Sequence, residues 1–99
     1  MNNRTKQTDI DAKSRAAVHE RDGYQCVYCG RIDKMIELAH YIGRAQGGLG
    51  IPQNLISLCV DCHRDYDGVG RRDMRDYLEN YLRAAYQDWD ENDLVYRKE

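Results

Sequence analysis

The stretch LCVDCHRDYD, residues 58–67, sets two cysteines three apart, follows the second directly with a histidine, and places an aspartate four residues beyond that histidine. A tight turn points Cys59 and Cys62 at one ion, and a helix starting near Asp61 brings His63 and Asp67 onto one face. The counterpart is YQCVYCG, residues 24–30, where Cys26 and Cys29 form a knuckle and Gly30 permits the turn. A gap of 29 residues separates the two C-x-x-C pairs. Together Cys26, Cys29, Cys59 and Cys62 complete a closed tetrahedral Zn(II) shell, which holds a fold and leaves no open position for chemistry. A redox pair or two disulfides are the competing readings.

A staple of this kind suits the chain. At 99 residues it is one domain with a modest core, and it has no Phe, one Trp and eight Tyr, so its large side chains mostly keep a polar end. The opening MNNRTKQTD, residues 1–9, is polar without an apolar signal region, and no later stretch approaches the length of a membrane span. These features predict a soluble cytoplasmic protein, where reducing conditions favour metal thiolates over disulfides.

A net charge of -2 argues weakly against a nucleic-acid partner until it is divided along the chain. Residues 1–72 carry 11 Lys/Arg against 9 Asp/Glu, and residues 73–99 carry 4 against 8. The deficit sits in the tail. Arg15, Arg21, Arg31, Lys34, Arg44, Arg64, Arg71 and Arg72 lie near the cysteine and histidine motifs, placed to contact phosphates or to form a solvated mixed-charge surface.

The coarse element reading is α+β. Thr8 and Asp11 resemble a capping box for a helix over 9–21, with Ile10, Ala17 and Val18 as its apolar stripe, ended by Asp22-Gly23. Alternation over 35–40 predicts a strand with Ile36, Leu38 and His40 on one face. Glycines and Pro52 make 42–53 a loop, and Leu55–Leu58 pairs back as a second strand. A short helix follows Cys59 and ends at Gly68 and Gly70. From 72 to 89, Met74, Tyr77, Leu78, Tyr81, Leu82, Ala85 and Trp89 recur at helical spacing, predicting a C-terminal amphipathic helix whose stripe is core.

With zinc satisfied by sulfur, His40, Asn54 and His63 need another explanation. Strand, loop, strand and helix bring His40 and His63 together, because zinc ties the start of the helix to the knuckle beside the first strand. Two imidazoles and a carboxamide from separate segments then converge.

At this point the chain resembles the HNH endonuclease family, the ββα-metal finger nucleases. RDGYQCVYCGR, IELAHYIGRAQGG and NLISLCVDCHRDYD carry the resemblance over about residues 15–67. His40 matches the family's first histidine, Asn54 its asparagine 14 residues on, and His63 its final histidine 9 residues further. The resemblance implies a ββα-metal finger with a four-cysteine zinc site, flanked by an N-terminal helix and a C-terminal amphipathic helix, residues 1–99 forming one nuclease domain. It implies that His40 is the general base that activates water, that Asn54 constrains the loop and orients His40, and that His63 binds a catalytic divalent ion. That ion would be Mg(II) or another such as Mn, Ni, Co or Zn. The family often carries Asp or His directly before the base, and this chain has Ala39. Asp67 is the expected replacement ligand, Glu37 having the opposite strand parity from His40, and an aspartate at position 39 is expected to restore part of the metal site if Asp67 is lost.

The resemblance thus implies a divalent-metal-dependent endonuclease acting on double-stranded DNA, with Arg44 and Arg64 as the nearest phosphate contacts. It also implies a phage or prophage origin, hence a host cytoplasm, with a phage terminase or another nuclease as candidate partner. Two other readings stand beside it. One is a non-catalytic zinc module binding nucleic acid or protein, with Ala39 marking lost chemistry. The other is a nuclease subunit active only with a partner, docked through its acidic, Tyr-rich tail.

Overall fold

The computed structural model describes residues 3–96, so the first two and last three residues of the expected single domain lie outside it. The order is α1 (Asn3–Thr8), α2 (Ala12–Asp22), β1 (Glu37–His40), β2 (Leu55–Leu58), α3 (Val60–Asp67) and α4 (Arg71–Ala85). Short 3₁₀ turns occupy Arg44–Gln46, Pro52–Asn54 and Glu91–Leu94. The two strands pair antiparallel, with Glu37 opposite Leu58, Leu38 opposite Ser57, Ala39 opposite Ile56 and His40 opposite Leu55.

That register sorts the side chains. Ala39, Ile56 and Leu58 join Tyr66 of α3 and Met74, Leu78 and Leu82 of α4 in the main core. Leu38 and Leu55 point the other way and pack with Val18 of α2. The sheet is therefore covered on both faces, which is how so small a chain excludes water from its strands. His40 lies on the α2 side of the sheet, while Glu37 and Ala39 lie on the α3 side.

Several boundaries differ from the sequence reading. Asp11, rather than Thr8, caps α2: its backbone is extended and its carboxylate accepts from the Ser14 amide at 2.7 Å. Residues 3–8 form a separate turn of helix, and Thr8 is buried. β1 begins at Glu37, and Ile36 joins the main core instead of sharing a face with Leu38. α4 ends at Ala85, so Trp89 is buried from a loop, where its indole N–H donates to the Gln53 carbonyl at 2.8 Å.

α2 ends in a polar network that composition does not announce. The Asp22 carboxylate, with a fully buried side chain, accepts from Arg21 Nε at 2.7 Å and Nη2 at 2.8 Å, from the Ser57 amide at 3.2 Å, and from the Tyr81 hydroxyl. Arg21 also donates to the carbonyls of Pro52 and Leu55 and to the Tyr86 hydroxyl. The donors of Arg21 and the oxygens of Asp22 find partners in α2, β2 and α4 and in Pro52 and Tyr86 beside them, which is the condition for burying an ion pair. Arg21 is thus taken up in the interior, and its role as a phosphate contact is withdrawn.

Candidate metal centres and active site

The four cysteines converge as their spacing predicts. Zn–S bonds of about 2.3 Å put tetrahedral sulfurs about 3.8 Å apart. Cys29 and Cys59 Sγ are 3.7 Å apart, and all four sulfurs lie within 4.8 Å of one another. Each knuckle turns on its first cysteine: Cys26 Sγ accepts from the Cys29 amide and Cys59 Sγ from the Cys62 amide, both at 3.4 Å. Gly30, at φ 85°, closes the first turn in the left-handed region that disfavours side chains. Burial opposes ionisation of Cys26, yet amide hydrogen bonds from Cys29, Cys59 and Tyr28 bring its thiol down to about 7. Burial and the neighbouring sulfurs push the thiols of Cys29 and Cys62 up, so the fit to a structural zinc rests on the donor set and its spacing. No disulfide joins them, and four sulfurs gathered about one centre suit a single ion better than two S–S bonds.

His40 ends β1 half-buried. Its Nε2 lies 2.9 Å from the Thr8 carbonyl, and since a carbonyl only accepts, Nε2 carries the proton. The lone pair is therefore on Nδ1. Burial holds the His40 pKa below its ordinary 6.5; the Thr8 carbonyl works against this, Arg44 and His63 reinforce it, and Asp67 opposes it. A neutral ring with a defined tautomer results.

Asn54 is fully buried, and among the described residues its hydrogen bonds go to the loop and not to the imidazole of His40. Its Oδ1 accepts from the Ile42 amide at 2.8 Å, while Nδ2 donates to the carbonyls of Ile42 at 3.1 Å and Leu49 at 2.9 Å. Its own carbonyl accepts from the Tyr41 amide at 2.8 Å. One side chain thus ties both ends of the glycine-rich loop directly after His40. The loop is tight: a Cβ on Gly48 would sit 1.7 Å from the Ile42 carbonyl oxygen.

His63 stands on the other side of β1 in an open cavity of about 360 Å³ lined by Glu37, Val60, His63, Arg64, Asp67 and Gly68. Its Nδ1 donates to Glu37 at 2.7 Å, and its Nε2 lies 3.4 Å from Asp67 Oδ2. This is a familiar arrangement at metal centres, one carboxylate orienting the ring by its N–H and freeing the opposite nitrogen to bind. Nε2 of His63 and the Asp67 carboxylate, side by side, fit a hard divalent ion.

Glu37 was missed by the sequence argument. Its strand parity is indeed opposite to that of His40, but α3 packs on the Glu37 face, so the parity that excluded it is what brings it to His63. Ala39 lies on that same face, 1% exposed within the main core. A carboxylate there would have to be desolvated, so Ala39→Asp is no simple restoration of a ligand. Of the two arginines expected at phosphates, Arg64 lines the His63 cavity, and Arg44 pairs with Asp9 at the edge of a neighbouring one. Arg31 instead bridges Asp33 and Asp61.

Among the described residues no helix is long and apolar enough to cross a membrane. A curated protein of similar sequence, anaredoxin of Nostoc sp. (strain PCC 7120 / SAG 25.82 / UTEX 2576), is 32% identical over 54 residues, which span 54% of this chain and 71% of that protein. The family model for HNH endonuclease matches residues 26–67, a span that opens on the first zinc-type cysteine, closes on Asp67, and holds His40, Asn54 and His63 between them. A ββα unit of this sequence and spacing, with its cysteine cluster and flanking helices, places the chain in the HNH endonuclease family.

Proposed function

We propose that this chain, acting as a single HNH nuclease domain, is a divalent-metal-dependent endonuclease that hydrolyses phosphodiester bonds of double-stranded DNA. The observation that carries the reading is the state of His40 at the end of β1: neutral by burial, protonated at Nε2 by the Thr8 carbonyl, and basic at Nδ1, with His63 and Asp67 near enough to act on its charge. A water that attacks phosphorus must lose a proton, and Nδ1 takes it. The Thr8 carbonyl then stabilises the imidazolium through the proton on Nε2. Asn54 acts as a positioning residue, holding the loop that leaves His40.

Nε2 of His63 and Asp67 would hold the catalytic ion, Mg(II) or another of Mn, Ni, Co and Zn, with Glu37 orienting the ring. Such an ion, when bound, supplies charge neutralisation at the phosphate and its leaving oxygen. Arg64 and Arg44 contact flanking phosphates, and Cys26, Cys29, Cys59 and Cys62 hold a structural zinc. Plasmid cleavage by wild type beside His40→Ala, with and without added Mg(II) or Mn(II), tests the proposal. Metal-dependent nicking or cutting that vanishes in the variant is the expected result. Ala39 favours one second reading, a non-catalytic zinc-held module, because β1 offers no ligand at the position where the family often has one. Absence of cleavage by zinc-loaded wild type across all these ions would select it.

A further inference from the structure

Beside the His63 cavity, and sharing Asp67 as a wall, lies a second cavity of about 660 Å³. Three guanidinium groups border it, from Arg44, Arg71 and Arg75. They differ in what neutralises them. Arg44 pairs with Asp9, and Arg75 Nη2 lies 3.3 Å from Glu91. Among the described residues no carboxylate pairs with Arg71.

Arg71 is nonetheless held firmly. Its Nη2 donates to the Tyr41 carbonyl at 2.9 Å, and its guanidinium lies 4.5 Å from the centre of the Tyr66 ring. The Tyr66 hydroxyl donates to that same carbonyl at 2.7 Å, so Arg71, Tyr66 and the carbonyl of the residue after His40 form one unit. A carbonyl and an aromatic face fix the fork of an arginine without cancelling its charge. What remains is a half-buried, pre-oriented cation with N–H groups that no described residue takes up, facing a cavity whose wall carries the ligand expected for the catalytic ion. Arginine presents paired N–H donors that match a phosphate, and an ordered fork loses little entropy on binding one.

We propose that Arg71 binds a backbone phosphate of the DNA strand in this cavity and so sets the register of the strand against His40 and His63. The site lies outside the residues that the family model matches, because Arg71 belongs to α4. The proposal rests on duplex DNA being the substrate, as argued above.

The test is equilibrium binding of a short fluorescein-labelled duplex to the zinc-loaded full chain, across a salt series without added divalent ion, so that nothing is cut. Removing one phosphate contact lowers the slope of log affinity against log salt by about 1, and loss of a charged hydrogen bond weakens binding by roughly tenfold or more. Arg71→Met, which keeps the packing on Tyr66, should show both changes with zinc content and circular dichroism unaltered. Arg71→Lys, keeping the charge without the fork, should restore the slope. Arg83→Gln removes a charge from the far end of α4 and should leave the slope as in wild type. An unchanged slope in Arg71→Met, or an equal fall in Arg71→Met and Arg83→Gln, overturns the site. If Arg71→Met is misfolded by either measure, the Arg71→Lys affinity decides: roughly tenfold weaker binding at wild-type slope supports the fork, and wild-type affinity overturns it. Wild type that binds and shows the slope effect but never cuts plasmid supports the phosphate site while sinking the nuclease reading. Wild type that cuts while Arg71→Met binds unchanged sinks the phosphate site alone, and wild type that binds no duplex sinks both.

Discussion

His40 illustrates how a single side chain acquires a chemical role from its neighbours. A histidine at a strand end has two nitrogens of similar basicity until something chooses between them, and the choice here is made by a carbonyl 32 residues away. His40→Ala should keep zinc and fold, since the ring lies outside the sulfur cluster, and lose cleavage by about 10²–10⁴-fold. Because burial lowers the His40 pKa below 6.5, the cleavage rate at saturating metal should rise through a pH below that value and be level by neutrality. A rise centred above 6.5 would show that another group is the base. The carboxylates at His63 separate in a metal titration. Asp67→Ala removes an expected ligand and Glu37→Gln the group that orients the ring, and each should raise the divalent concentration for half-maximal cleavage, about 10–100-fold for Glu37→Gln. Zinc content should stay constant in both. Wild-type titration curves would reduce the two carboxylates to surface groups.

At the level of elements, two polar side chains do what apolar packing does in larger proteins. Asn54 joins both ends of the 42–49 loop through three hydrogen bonds. Asn54→Ala leaves buried amide and carbonyl groups without partners and should lower stability by about 2–4 kcal/mol in denaturant melts, with weaker cleavage following from a loosened His40. Asp22 joins α2, β2 and α4. Asp22→Ala strands the Arg21 guanidinium in the interior and should cost about 3–5 kcal/mol, more than removal of any surface ion pair in the molecule. Burial alone would raise the Asp22 pKa, but hydrogen bonds from Arg21 and Tyr81 hold it below 3.8. A carboxylate depressed in this way contributes stability that is complete above 3.8 and is lost as pH falls through its lower native value. Wild type should therefore show an acid-unfolding contribution in that window that Asp22→Ala lacks.

The whole molecule depends on joining these parts with little apolar burial. The cysteine cluster links the knuckle after α2 to the start of α3, and the C-terminal segment closes the other end, where the Leu49 amide donates to the Leu94 carbonyl at 2.8 Å and the Tyr96 amide to the Gly47 carbonyl at 2.7 Å. Without metal, four thiols in mutual contact offer little to hold the ends of a chain this short. Chelation of zinc should then unfold the protein cooperatively, and Cys26→Ser or Cys59→Ser should yield insoluble or unfolded chains. A chelated sample that keeps its circular dichroism and melting transition would refute the dependence.

The sequence by itself determined whatever rests on spacing along the chain. Two C-x-x-C pairs dictate a sulfur cluster, because three-residue turns aim paired thiolates at one point whatever surrounds them. The 3.6 period places the Met74, Leu78, Leu82 stripe, because burial selects one face of that helix, and Leu55–Leu58, buried on both faces, reads as a strand from its short apolar run after a glycine-rich loop. His40, Asn54 and His63 were legible through their fixed intervals within that unit. Tertiary structure alone decided which face of β1 receives α3, and so brought Glu37 to His63 and put Ala39 in the core. It alone sent Arg21 inward and left Arg71 without a carboxylate among the described residues, and it supplied the Thr8 carbonyl that selects the His40 tautomer. These outcomes depend on contacts between segments far apart in the chain, where the partner of a polar group is set by packing and by which buried charges can be satisfied, and no local pattern records that choice.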